Sequence, residues 1–427
     1  MYPIKRAGSR DGRARRGGAG ASGRGRRLPV VILTAALTVT AACGQSGSGA
    51  EGDDAPQVTL PTNKATGAPI TIGLINNDSS PLGSFADIRR AVLAGASYVN
   101  DSLGGVGGRP IKIVPCTPNG SAPSSANCAA ELLRAKPAAV LGGLDLGADG
   151  AVPALAKAGI PYVPSAPIGG VEFASPNSFS FGSGSPGSVS AGAAYAADTL
   201  KPKKVAVMFN ENPQARLAAQ NYVEKVMRAK GVTDISLVAY GNHETDLSGP
   251  LSQALKGGTD VVMGIMQGSG CANVMKAKQA LGSTAKFVFP GSCADPQVLK
   301  AGGAGAEGAY FTTTLLIAEA DHPDVKTFRA AMAKYDKSVP LSGFVQGGFA
   351  TVVSLSRVMA KAQQPDSPKA VMEALGKVSG EQAFMGPKVT CDGKQLPPLR
   401  ALCTKEARIA QYTGGALKDV GGRWVSS

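Results

Sequence analysis

Apolar residues along this chain come in short runs that alternate with helix-spaced stripes, and the alternation starts twice. The run 70–75 has the length and composition of a buried strand. Ile88, Val92, Ala96 and Val99 then recur at helical spacing, and the glycine-rich segment 104–108 stops that helix. The series continues with a strand at 111–114, a helix at 126–133, a strand at 139–141, a helix at 150–158 and a strand opening at Tyr162-Val163. It restarts with a strand at 205–209 and helix-spaced Ala219, Val223 and Val226. Strands at 235–239, 261–264 and 287–289 follow, with a helix at 271–281. Thr245-Asp246-Leu247-Ser248 reads as the cap of another helix, because side-chain oxygens there can take up free backbone N–H groups. Helices at 325–335, 347–361 and 367–375 and closing strands at 388–391 and 409–412 complete the pattern.

Such alternation argues parallel sheets covered by helices, and two runs of it argue two similar lobes. Ahead of them, residues 1–27 are rich in Arg and Gly, and an apolar run reaches Cys43. A charged stretch, a short apolar stretch and small residues before a cut are the marks of a secretory signal. The run is too short and too interrupted by Thr to span a membrane. Thr40-Ala41-Ala42-Cys43 resembles the lipobox of bacterial lipoproteins, with Thr40 where Leu is usual. Cys43 is therefore the expected lipidation site, and plain secretion with cleavage near Ala42 is the alternative. Arg26-Arg27 could suggest twin-arginine export, but the residues after them fit that motif poorly. Residues 44–67 lack apolar periodicity and read as a disordered tether.

The charge of +14 shrinks once the leader is set aside. Nine basic residues and one acid, Asp11, fall within 1–43, which removes +8 and leaves about +6. No basic stripe interleaved with aromatics remains, so nucleic acid is not an implied partner. Six cysteines follow the leader: Cys116, Cys128, Cys271, Cys293, Cys391 and Cys403. In an exported chain an even count reads as disulfides, although the count leaves many pairings open. Order and spacing favour the three neighbour pairs. Cys271 and Cys293 each follow a predicted parallel strand, so their loops share an edge. Cys116 ends a strand and Cys128 begins the next helix. No pair has the tight spacing of a zinc site, and His243 and His322 lie near no cysteine. No metal or cofactor is expected.

Several fragments in order resemble the type I periplasmic solute-binding proteins, the branched-chain amino acid (leucine/isoleucine/valine)-binding family of ABC transporters. They are Ile72-Gly-Leu, Asn100-Asp-Ser-Leu-Gly-Gly-Val-Gly-Gly-Arg109-Pro-Ile, Val140-Leu-Gly-Gly143, Gly159-Ile-Pro-Tyr-Val163 and Lys203-Lys-Val-Ala-Val-Met208. Thr245-Asp-Leu-Ser248, Ala306-Glu-Gly-Ala-Tyr-Phe-Thr312 and Met385-Gly-Pro-Lys-Val389 complete the set. The resemblance implies an α/β architecture of two doubly wound parallel-sheet lobes joined by a hinge, with three crossings and a ligand closed between them. It places 68–185 with 313–385 in one lobe and 186–312 with 386–427 in the other. It implies a monomeric, lipid-anchored receptor on the outer side of the cell membrane that passes a small molecule to an ABC permease, and no enzyme activity.

The ligand loops depart from the amino-acid pattern. A Ser-rich carboxylate loop is replaced by Leu144-Asp-Leu-Gly-Ala-Asp149. Ala166 takes the place of a small residue, Ile168 that of a Thr, Gln214 that of a Tyr and Gly291 that of the acid that meets the ammonium. The expected ligand contacts are therefore Ser79, Ser80, Asp145, Ser165, Ala166, Gln214 and Gln267, which suit a polar solute other than an ordinary α-amino acid. Rival chemistry finds little support. Of two GxGxxG strings, 303–308 precedes a strand, and 182–187 lacks the acid that a dinucleotide site needs about 20 residues on. No GxSxG, HExxH or Walker A string occurs. A sensory receptor without transport and an exported lipoprotein enzyme remain as alternatives.

Overall fold

An unbroken apolar strand is stable only when both sheet faces are covered, and the first run is used in that way. In the computed structural model, which describes residues 58–80 and 83–427, β1 (Ile70–Ile75) lies between β2 (Ile111–Cys116) and β3 (Ala139–Gly142). β4 (Tyr162–Pro164) pairs with β3, and all these pairings are parallel. Helices α1 (Ala86–Ser102), α2 (Ala122–Arg134) and α3 (Ala148–Lys157) connect the strands, and a short α4 (Gly170–Ala174) follows β4. The leader, Cys43 and the first part of the tether lie outside the described residues. The last part of the tether segment is held in the fold. Asn63 N–H donates to Asp101 O at 2.9 Å and Ala65 N–H to Asn100 O at 2.8 Å, at the end of α1.

From α5 (Gly184–Tyr195) the chain enters a second sheet of β5 (Lys204–Asn210), β6 (Asp234–Tyr240), β7 (Val261–Ile265), β8 (Lys286–Pro290) and β9 (Tyr310–Thr313). Its order is β6-β5-β7-β8-β9, the same winding as β2-β1-β3-β4. Two antiparallel strands, β10 (Arg408–Thr413) and β11 (Ala416–Asp419), extend it beyond β9. Its helices are α6 (Pro213–Ala218) and α7 (Lys225–Ala229), joined by a π-helical stretch, then α8 (Ser248–Ala254), α9 (Ser269–Ala280) and α10 (Pro296–Gly302). The expected two doubly wound lobes are present. The cap of α8 differs in detail: Leu247 holds the N-cap position, and Asp246 accepts the Ser248 N–H at 2.9 Å.

After β9 the chain returns to the first lobe as α11 (Pro323–Tyr335), α12 (Gly343–Met359) and α13 (Pro368–Gly376). α12 packs along α1 and buries nearly its whole surface, as its apolar sequence requires. Phe349 is its hub, with ring centroids 5.8 Å from Tyr98, 5.3 Å from Phe328 and 5.8 Å from Phe384. This core fixes the N-terminus of α12, which matters for the cleft below.

The boundary at 385/386 needs correction. Val389, Cys391 and Cys403 belong to the first lobe's core. Cys403 N–H donates to Ser180 O at 3.0 Å and Ser180 N–H to Ala401 O at 2.7 Å, so the last crossing falls after Cys403. Lys388–Val389 pairs with Glu381–Gln382 in a separate two-stranded ribbon and closes neither main sheet. The segment 391–403 is interrupted by Pro397-Pro398 and has no helix or strand periodicity, so nothing in its pattern says which lobe it joins.

All three neighbour disulfides form: Cys116–Cys128, Cys271–Cys293 and Cys391–Cys403. Cys128 sits in the middle of α2 rather than at its start. Cys271 and Cys293 are both fully buried. Replacing that pair by Ala is expected to lower stability by about 3 kcal/mol, the chain-entropy value for a loop of this size. A urea-unfolding midpoint unchanged from the parent protein would contradict the assignment.

Candidate functional site

Open α/β sheets present ligand-binding loops at the carboxyl ends of their strands, beside the point where strand order reverses. Here the reversals fall between β1 and β3 and between β5 and β7. A cleft of about 240 Å³ opens at these edges, between the two lobes. Residues 165–168 after β4 and 341–347 at the start of α12 form its first-lobe wall. Gln267 after β7 and residues 290–292 after β8 form the second-lobe wall. The crossing segments supply the rest, 182–188 at the start of α5 and 312–319 after β9.

Local chemistry explains these positions. Ser165 donates both its N–H, at 2.7 Å, and its hydroxyl, at 3.0 Å, to Gly142 O, which ties the loop after β4 to the end of β3. Ser342 caps α12 by accepting the Val345 N–H, as a hydroxyl ahead of an apolar helix should. Buried Gln346 donates to Leu316 O at 2.9 Å and so pins the crossing strand to α12. The Gln267 side chain is exposed to the cleft and makes no hydrogen bond with the described residues. Asp295 and Glu319 are the acids of the lining, and among the described lining residues there is no Lys, Arg or His. Asp295 is partly engaged, accepting the Gln297 N–H at 2.9 Å as the cap of α10.

Of the residues expected at the site, Ser165, Ala166 and Gln267 meet in the cleft. So do Ile168, 38% exposed, and Gly291, the positions that the resemblance matches with a Thr and an acid. Asp145 does not line it. Its carboxylate is 1% exposed, accepts the Ser125 hydroxyl and accepts the Gly147 N–H at 2.9 Å. Burial pushes this carboxyl above its ordinary value, and those two hydrogen bonds oppose the rise. Gln214 is exposed near the start of α6, away from the lining. Ser79 is exposed in a two-residue strand opposite Ser84, also away from the lining. Ser80 is described only as backbone in the same strand, paired with Gly83.

The sequence reading missed 312–319 and 341–347. The pair Ser342-Gly343 ahead of an apolar helix was a readable capping signal. The string 182–187 also reaches the cleft, as the turn into α5.

Fold and cleft define a two-lobed binding protein. The chain belongs to the periplasmic binding protein family, whose family model matches residues 69–415. The fold is similar to that of a leucine-binding protein LivK from Thermotoga maritima, at TM-score 0.68 and 18% identity over 84% of this chain and 99% of that one. It is similar to the substrate-binding protein LivJ from Streptococcus pneumoniae, solved with isoleucine, at 0.67 and 17% over 84% and 100%. It is also similar to a solute-binding protein from R. palustris solved with 4-hydroxybenzoate, at 0.66 and 20% over 83% and 96%. No curated protein sequence matches this chain.

One position shows how tightly the first-lobe edge is built. A Cβ on Gly142 would lie 2.1 Å from the Tyr162 hydroxyl oxygen. Gly142→Ala is therefore expected to cost about 1–3 kcal/mol through overpacking, measured by thermal unfolding. A melting temperature equal to the parent's would show that Tyr162 can give way.

Proposed function

We propose that this protein is an extracytoplasmic, lipid-anchored receptor that encloses a small neutral polar or weakly cationic solute between its lobes and delivers it to an ABC permease. The observation that carries the reading is the cleft itself: hydroxyl and amide groups from both lobes line it, two acids accompany them, and no basic side chain is found among the described lining residues. Ser165, Ala166 and Gln267 are the proposed contacts shared with the sequence reading, joined by Ser342 and Thr312. The lobes are proposed to move about the crossings near 183, 313 and 404. Contacts from both lobes favour the closed state, because a ligand shifts a hinge only by its differential affinity for the two states. Similar folds solved with isoleucine and with 4-hydroxybenzoate support a small-molecule role without fixing the solute.

The solute class follows from the cost of burying charge. A closed cleft must replace the water around a carboxylate with matched donors, since unpaired buried charge is very costly. Ile168 and Gly291 offer no side-chain partner where the amino-acid pattern has a hydroxyl and an acid. Leucine, isoleucine and valine are thus expected to bind weakly or not at all by calorimetry against the twenty amino acids. Micromolar binding of any of the three overturns the solute class and leaves the receptor role standing. Native mass spectrometry of protein from its own host should show one small molecule retained in stoichiometric amount. Turnover of that molecule would favour the exported-enzyme alternative, which the cleft acids Asp295 and Glu319 keep open.

The anchor is tested separately. A diacylglycerol on Cys43 buries many methylenes at about 0.8 kcal/mol each. Cys43→Ser should leave the protein in the medium or unprocessed. A variant that is correctly cleaved and still membrane-bound would end the lipoprotein reading.

A further inference from the structure

Behind the first-lobe wall lies a carboxylate with no exposed surface, Glu172 on α4. Its Oε2 accepts the N–H of Ile168 at 2.8 Å and of Gly169 at 2.9 Å. Its Oε1 accepts the Tyr162 hydroxyl at 3.0 Å. Ile168 lines the cleft, and Tyr162 opens β4, the strand that leads into the loop carrying Ile168. A helix of five residues can be capped by a neutral Ser or Asn, which avoids burying a charge. An ionisable group is held here instead, and its hydrogen-bond partners sit on the wall loop, at Ile168 and Gly169, and on the strand that leads into it, at Tyr162.

We propose that Glu172 is a positioning residue for the first-lobe wall: its charged carboxylate holds the Ile168 and Gly169 amides in place, and on gaining a proton it loosens them. The proposal rests on the receptor reading only for what the wall contacts. Burial pushes the carboxyl up from its ordinary 4.5 to about 7, against the three hydrogen bonds that favour charge, and Asp145 adds to the rise. Tyr162 and Asp145 are the titratable groups that face it. The other charges on the elements packed around α4 are Asp149 and Lys157 on α3 and Arg400 beside Ala401, and all three are exposed. The sign follows from the raised value. The folded chain binds a proton here that the unfolded chain releases, so stability falls as pH rises from 4.5 to about 7. Above that window the carboxylate is charged and the wall is held tightest, at a cost in stability.

Amide NMR on the labelled protein between pH 5.5 and 8.5 tests this without a ligand. The Ile168 and Gly169 amide protons are expected to shift together, with an inflection near 7, downfield on the alkaline side. Glu172→Gln keeps the shape and removes the charge, so both amides should lose the inflection and stay near the parent's acidic positions. Tyr162→Phe removes one donor to the carboxylate and should move the inflection to higher pH. That second variant decides the matter if Glu172→Gln does not fold. Amides that stay flat in the parent protein, or an inflection that persists in Glu172→Gln, overturn the proposal. A flat titration leaves the receptor reading intact, whereas failure to retain any solute leaves the titration intact.

Discussion

The ligand edge of the first lobe depends on a single constraint: a buried amide must find partners for its donors and its acceptor. Asn76 and Asn77 follow β1 and have no exposed surface. Asn76 donates to Asp78 at 2.9 Å and to Phe85 O at 3.1 Å, and accepts the Leu144 N–H at 3.0 Å. Asn77 donates to Pro118 O at 2.6 Å and accepts the Leu146 N–H at 2.7 Å. The loops after β1, β2 and β3 are thereby stitched into one another. Removing either amide would break hydrogen bonds to backbone groups in two loops at once, and each group left unsatisfied costs about 1–3 kcal/mol.

That stitching explains where the sequence reading of the site failed. Asp145 looked available for a ligand because it is an acid in a loop at a strand edge. In the fold it serves Ser125 and the turn at Gly147, within the stitched set. The strand and helix cores were legible because burial on both faces writes an unmistakable run such as 70–75, and a half-buried helix writes the spacing of Ile88, Val92, Ala96 and Val99. Pairing partners of buried polar groups leave no such trace. Neither does the lobe membership of an aperiodic segment, which is why 386–403 was assigned to the wrong side. Residues 341–347 line the cleft through tertiary packing of α12 on α1, and local sequence carries the cap but not the destination.

With the stitched loops occupied, the cleft is lined instead by the loop after β4, the start of α12, the crossing segments and the second-lobe loops. This moves the electrostatics as well. Asp145 contributes no accessible charge, and the acids that do line the cleft, Asp295 and Glu319, lie on the second-lobe and crossing side. The first-lobe wall presents the hydroxyls of Ser165 and Ser342 beside Ile168 and Phe344 and carries no ionisable side chain among the described lining residues. The charge of the lining is thus confined to the second-lobe and crossing side. Polar groups set orientation in sites of this kind, and apolar contact supplies much of the affinity.

The three disulfides brace loops within each lobe and leave the crossings between the lobes unbridged. Cys271–Cys293 ties the start of α9 to the turn after β8, and so braces the loops that carry Gln267 and Gly291. Cys116–Cys128 braces the end of β2, next to the loop that Asn77 holds at Pro118. Cys391–Cys403 braces the segment that pairs with Ser180, just before the first crossing. None of the three bridges joins the first sheet to the second. The crossings after Ser180, Thr313 and Cys403 carry no disulfide among the described residues and are held by hydrogen bonds and by apolar packing of Phe181 and Leu316. Covalent bracing therefore acts within each lobe, and only Cys271–Cys293 lies beside residues of the cleft wall, so the geometry between the two sheets is left to noncovalent packing.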